Sequence, residues 1–125
     1  MKSWLRKNSL QKGALIMIEK SLTAEGKEKI VRYIGEVYQR SRRRMDVYEF
    51  QNCIHENQKV YDCDQGMVHL VDRTLADCSP ETRCIIRREY LEAHQKSWYT
   101  EFFSKTAYYR LKKIAVVEFI DCLDI

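Results

Sequence analysis

The sequence predicts an all-α protein, a small helical domain of about five to six helices. Three observations carry that expectation. The 125 residues include one proline and four glycines, so few positions break a helix. Apolar residues recur at three- and four-residue spacing along most of the chain. No stretch of strand length alternates apolar and polar residues. The length suits one domain with its own core, and no internal repeat is present.

Residues 1–22 form an N-terminal arm unlike the rest. Lys12-Gly13-Ala14 lies just before Met17, and its codons can spell the purine-rich core of a bacterial ribosome-binding site. The natural start is then either Met1, with a genuine arm, or Met17, with residues 1–16 as translated leader. The apolar run Ala14-Leu15-Ile16-Met17-Ile18 is short for a secretion signal and no cleavage site follows it. No run is long and apolar enough to span a membrane. The expected location is cytoplasmic, with no membrane contact.

Residues 23–78 read as a helical support or dimerisation region. A first helix starts at Thr23, with Ile30, Tyr33, Ile34, Val37 and Tyr38 as its inward stripe. It ends in Arg40-Ser41-Arg42-Arg43-Arg44, where cations suit the negative end of the helix dipole and phosphate contact is the sharper alternative. Asp46-Val47-Tyr48-Glu49 has the form of a capping box. It predicts a second helix to about residue 61, with Tyr48, Cys53 and Val60 inward. Asp62-Cys63-Asp64-Gln65-Gly66 reads as a turn. A third helix follows over 67–77, with Met67, Val68, Val71, Leu75 and Ala76 as core positions.

Residues 79–125 carry the pattern that points to function. Ser79-Pro80-Glu81 is a helix start with a serine cap, proline in the first turn and an acid near the positive end. That helix spans 80–93, with Ile85, Ile86 and Tyr90 inward. A break at His94-Gln95-Lys96 leads to a short aromatic helix over 97–103. Ser104 then caps a last helix over 105–122. Three helices in a row with a tight final joint outline a helix-turn-helix, whose last helix enters the DNA major groove.

The last helix has two faces. Tyr108, Leu111, Ala115, Phe119 and Cys122 fall inward. Ser104, Lys105, Thr106, Tyr109, Arg110, Lys112 and Lys113 are the candidate DNA-binding residues. Arg110 suits a guanine edge or a phosphate, Lys112 and Lys113 suit phosphate, and Tyr109 suits phosphate through its hydroxyl or lies against a sugar or base. No acid lies within 105–113, although helical i,i+4 pairing would favour one. Charge is segregated at larger scale too: net +8 over residues 1–45, −6 over 46–82 and +2 over 83–125. The basic zones suit a polyanion and the acidic middle would face away from it.

These residues carry a family resemblance over residues 79–123. SPETRCIIRREYLE is similar to the first helix of the region-4 domain of sigma factors. SKTAYYRLKKIAVVEFIDCL resembles the recognition helix of phage ArpU-type transcriptional regulators, and of small uncharacterised mycoplasma and spiroplasma proteins. The resemblance implies a sigma region 4-like helix-turn-helix that binds double-stranded DNA through Ser104, Lys105, Thr106, Tyr109, Arg110, Lys112 and Lys113. It also implies RNA polymerase as a further partner. Ala107 departs from the pattern, standing where the family commonly has threonine.

Other chemistry is poorly served. Five cysteines at 53, 63, 78, 84 and 122 make no disulfide framework and read as small buried hydrophobes. Cys53-Ile54-His55 with Cys63 or His69 lacks metal-ligand spacing, so no metal is expected. No nucleophile–base pair or glycine-rich phosphate loop occurs, so neither an enzyme nor a cofactor is expected. The expectation is a sequence-specific DNA-binding transcriptional regulator, monomeric on polymerase or a homodimer on a palindrome. The alternative is a protein–protein interaction module on a helix-turn-helix scaffold without DNA binding, for which acidic residues 46–82 suit a basic partner.

Overall fold

The computed structural model describes residues 22–123, so all but the last residue of the N-terminal arm, with its two possible starts, lies outside the described residues. The described chain is helical, with no strand and no helix long and apolar enough to cross a membrane. Four α-helices make the frame: α1 (Ala24–Phe50), α2 (Gln58–Ala76), α3 (Pro80–Ile86) and α4 (Lys105–Cys122). The last turn of α3 widens into a π turn over Arg87–Leu91, and single 3-10 turns occupy His55–Asn57 and Trp98–Glu101. Among the described residues, four α-helices stand where five to six were expected, and each difference has a physical cause.

The first difference is the length of α1. It starts at Thr23 as expected, and Thr23 caps it by accepting from Gly26 N–H at 3.0 Å. The helix then runs through Asp46, the expected cap of a second helix, to Phe50. Its buried stripe of Val31, Gly35, Tyr38, Ser41 and Met45 keeps helical spacing across that point. Burial of Met45 holds Asp46 in the helix, and a capping box needs an extended residue at its start. The break comes later, at Asn52, which takes a positive φ of 53°, a conformation asparagine tolerates better than most residues. The arginine run therefore lies within the helix, and no cation occupies its last turn. Dipole matching does not account for it.

The expected turn at 62–66 is the second difference. It lies inside α2, because Asp64 has a tertiary use. Asp64 is 3% exposed and accepts from Ser41 Oγ at 3.0 Å, Arg44 Nε at 2.8 Å and an Arg44 terminal nitrogen at 2.7 Å. That forked arginine–carboxylate pair joins α1 to α2. Gly66 is tolerated where nothing approaches its Cα face within 4 Å.

The inward stripe of α1 holds in part: Tyr38 is buried and Ile34 packs against the core as expected. Ile30 and Tyr33 are exposed, at 37% and 61%, while Gly35 and Ser41 face the core. A Cβ at Gly35 would sit 2.4 Å from the Tyr90 carbonyl oxygen. The π turn at the end of α3 thus presses its backbone on α1, and Gln39 Nε2 donates to the same carbonyl at 2.8 Å. Val60, expected inward, is 43% exposed.

α2 packs along the second half of α1, α4 and the π turn pack against its first half, and α3 packs on α4. The core joins Val31, Tyr38 and Met45 with Val68, Val71 and Leu75, and with Ile85, Ile86 and Tyr90. Tyr108, Ala115, Val116 and Phe119 from α4 complete it. Only Cys78 among the cysteines is buried; Cys53 and Cys122 are half-buried, and Cys63 and Cys84 are exposed.

Two carboxylates tie these helices and set an acid limit. Hydrogen bonds from Arg44, then Ser41, hold Asp64 below the usual aspartate range. Hydrogen bonds from Thr82 and Ser79 do the same for Glu118. A depressed folded value gives stability that is complete above the unfolded value of about 4 and lost as pH falls through the folded one. Urea midpoints measured across pH should therefore drop steeply on the acid side. Asp64→Asn should lower the neutral midpoint and make that acid limb shallower.

Candidate nucleic-acid interface

The face expected to meet DNA begins at the start of α4. Ser104 is extended and its Oγ accepts from Ala107 N–H at 3.2 Å. The first turn contains no acid and does contain Lys105. A cation there opposes the positive end of the helix dipole, so the peptide backbone does not account for its placement. Ser104, Lys105, Thr106, Tyr109, Arg110 and Lys113 are all exposed, and Tyr108 beneath them is 1% exposed. Among the described residues, no carboxylate comes within ion-pair distance of Lys105, Arg110 or Lys113.

Lys112 is placed differently. Its side chain is 16% exposed and turns under the helix. The ammonium lies 3.8 Å from Glu89 Oε2 and 4.0 Å from Glu28 Oε2. The rings of Tyr90, Tyr109 and Tyr108 surround it, with centroids 5.7, 5.9 and 6.0 Å away. Internal carboxylates and ring faces thus occupy this cation.

Glu89 is the hub of the arrangement. Its Oε1 accepts from Trp98 Nε1 at 2.9 Å and from the Tyr108 hydroxyl. Glu28 accepts from the Tyr90 hydroxyl at 2.9 Å and from Arg32 at 2.5 Å. Burial raises the Tyr90 and Tyr108 hydroxyls well above the usual tyrosine range, and the partner glutamates, Glu28 and Glu89 respectively, push further. Both phenols are therefore fixed donors at neutral pH. The network ties α4 to α1, α3 and the Trp98 turn at once.

The short aromatic segment supports this floor without forming the expected helix over 97–103. It makes one 3-10 turn, Trp98–Glu101. Tyr99 stacks on Tyr108 at 3.9 Å with 2° between planes, and Trp98 meets Tyr108 edge-on at 5.6 Å. Ring packing takes over the role a middle helix would have, so the ending departs from the three-helix outline.

Sequence reasoning passed over Glu28, Glu89 and Trp98, whose chemistry is spent on orienting α4. The signal was the lone acid in Arg87-Arg88-Glu89-Tyr90. Replacing Glu89 with alanine leaves the buried Tyr108 hydroxyl and the Trp98 N–H without their acceptor. The expected cost is about 2–3 kcal/mol, read as a lower urea midpoint, with Trp98 fluorescence reporting a wetter ring.

A second basic patch lies on α1. Arg40, Arg42 and Arg43 are exposed with no ion pair among the described residues, whereas Arg44 is committed to Asp64. At a rise of about 1.5 Å per residue, Arg40 stands roughly 18 Å along the axis from Glu28, and so away from the α4 face.

The outward side of α4 changes character past Lys113. Ile114 and Val117 are 56% and 38% exposed, and Asp121 is exposed beyond them. Comparison of the chain with protein-family models, with curated proteins and with solved structures finds no match.

Proposed function

We propose that the chain is a sequence-specific DNA-binding transcriptional regulator of sigma region 4-like character, reading the major groove with the first half of α4. One observation carries this reading: Lys105, Arg110 and Lys113 share an exposed face with Thr106 and Tyr109, and no carboxylate neutralises them among the described residues. An i,i+4 ion pair would favour a merely solvated helix face, and cations left without one are available to phosphate. In this reading Ser104 and Lys113 touch phosphate, and Lys105 and Thr106 lie at the helix start where base edges come closest. Arg110 reaches a guanine edge. Lys112 serves as a positioning residue that sets the tilt of α4. The Trp98 turn stands in for the middle helix, and RNA polymerase is the natural second partner of a sigma-like module.

Selection of bound sequences from random duplex tests the reading. The expected result is an enriched site containing guanine, with Arg110→Ala weakening that site by about 1–3 kcal/mol and relaxing preference at one position. Failure to retain any duplex at low salt overturns it.

The exposed pair Ile114 and Val117 favours a second reading, an interaction module without DNA binding. In that case Ile114→Asp would abolish association with the partner protein, and the cations of 105–113 would be dispensable.

A further inference from the structure

Two thiols and a carboxylate converge where the end of α2, the cap of α3 and the last turns of α4 meet. Cys78 Sγ, Cys122 Sγ and a Glu118 carboxylate oxygen all lie within 4.8 Å of one another. Glu118 and Cys122 are one helical turn apart on α4 and share a face. Cys78 is buried immediately before the cap residue Ser79. We propose that Cys78, Glu118 and Cys122 form a binding site for a divalent thiophilic cation, with Zn2+ as the ion that fits the donor set.

The donors suit such an ion in kind and in spacing. Zn2+ takes sulfur at about 2.3 Å and carboxylate oxygen at about 2.0–2.2 Å in a tetrahedron, which puts neighbouring donors roughly 3.5–3.8 Å apart. The three atoms need close by only about 1 Å, a side-chain adjustment. Glu118 is already held in place. Its Oε1 accepts from Ser79 Oγ at 2.9 Å and Thr82 Oγ1 at 2.5 Å, and its Oε2 accepts from Ser79 N–H at 2.6 Å. A carboxylate offers about four lone-pair directions, so Oε2 keeps one for a metal. These hydroxyl and amide donors act as the outer partners that orient a ligating carboxylate.

Cys122 Sγ–H makes only a long contact to the Asp77 carbonyl, at 3.7 Å, and losing the Cys78 proton leaves no acceptor stranded. Cys78 Sγ–H points at the Thr74 carbonyl at 3.3 Å, and that carbonyl also accepts from Asp77 N–H at 3.1 Å. Burial, then the neighbouring Cys122, pushes the Cys78 thiol up to about 12. The free chain thus holds it protonated. Each S–Zn bond needs its sulfur as thiolate, so binding tightens with rising pH. Two thiolates and one carboxylate around Zn2+ leave one net negative charge. The Arg83 guanidinium, which donates to the Cys78 carbonyl at 2.6 Å, stands beside the site to balance it. Water fills the fourth position from the open side at half-buried Cys122.

Cobalt titration under reducing conditions tests the proposal, using a Cys53→Ser/Cys63→Ser/Cys84→Ser variant that retains only the proposed pair. None of those three thiols is buried, so the fold is kept. The expected result is a single equivalent of Co2+ with a sulfur-to-cobalt charge-transfer band and intense tetrahedral visible bands. Zn2+ should displace it and raise the thermal midpoint. Cys122→Ser in the same background should lose both the charge-transfer band and the midpoint shift. No sulfur band in the triple variant overturns the proposal, and so does a band that survives Cys122→Ser. Closure of Cys78 and Cys122 into a disulfide that resists the reductant, with no metal bound, also overturns it.

Discussion

Gly35→Ala should destabilise the chain by about 3 kcal/mol, at or beyond the upper end of the usual cost of overpacking a core. An added Cβ would lie 2.4 Å from the Tyr90 carbonyl oxygen and 3.0 Å from its carbon and Cβ. Both close atoms of the carbonyl are backbone, so no side-chain rotation relieves the contact. α1 and the end of α3 must separate, and the Gln39 bond to that carbonyl goes with them. The Glu28–Tyr90 hydrogen bond spans the same joint. Loss of stability should therefore come with a misplaced α4. Urea denaturation checks the first effect, and exchange protection of α4 amides checks the second. Gly66→Ala supplies the contrast, since nothing lies within 4 Å of its added methyl. It should stabilise by a few tenths to about 1 kcal/mol, as expected for a helix-interior glycine.

Joint replacement of Lys105, Arg110 and Lys113 by glutamine should remove duplex binding at physiological salt. Each phosphate contact contributes about 0.9 to the slope of log affinity against log salt, so losing the Lys113 contact should flatten it by about 0.9, while the lost base-edge contacts of Lys105 and Arg110 account for the rest of the lost affinity. The three side chains are exposed and unpaired among the described residues, so stability should hardly change. Surface substitutions of that kind usually stay within about 0.5 kcal/mol. Lys112→Gln should behave in the opposite way, with stability reduced more than the salt slope. Its ammonium sits between Glu28 and Glu89 and has little access to a phosphate. Binding isotherms over a salt series, run beside urea melts, separate the two classes of lysine.

The helical class was legible because proline and glycine are scarce and because local caps are strong. Thr23, Ser79 and Ser104 all cap as their surroundings suggest, each accepting from the amide three residues on. The burial of Tyr108 and exposure of Tyr109 were legible from the spacing of α4. What failed was punctuation inside the first half. Asp46 and Asp62 through Gly66 carry turn chemistry, but Met45 is buried on one side and Asp64 is claimed by Arg44 and Ser41. Tertiary contacts between distant residues decided those positions, and a local reading has no access to them. The same holds for Lys112, whose partners Glu28 and Glu89 come from two other elements. The stripe of α1 was only partly legible, since Tyr38 and Ile34 pack inward but two of its buried positions are Gly35 and Ser41, which carry no hydrophobic signal.

The outward face of α4 changes from cationic to apolar near Ile114, and that boundary separates the two functional readings. Backbone amide shifts during titration with duplex DNA at low salt test whether α4 is the DNA reader. Perturbations should concentrate at residues 104–110 and at Lys113 and fade as salt is raised. Unchanged amide shifts at low salt would contradict it, as would perturbations centred on Ile114, Val117 and Asp121.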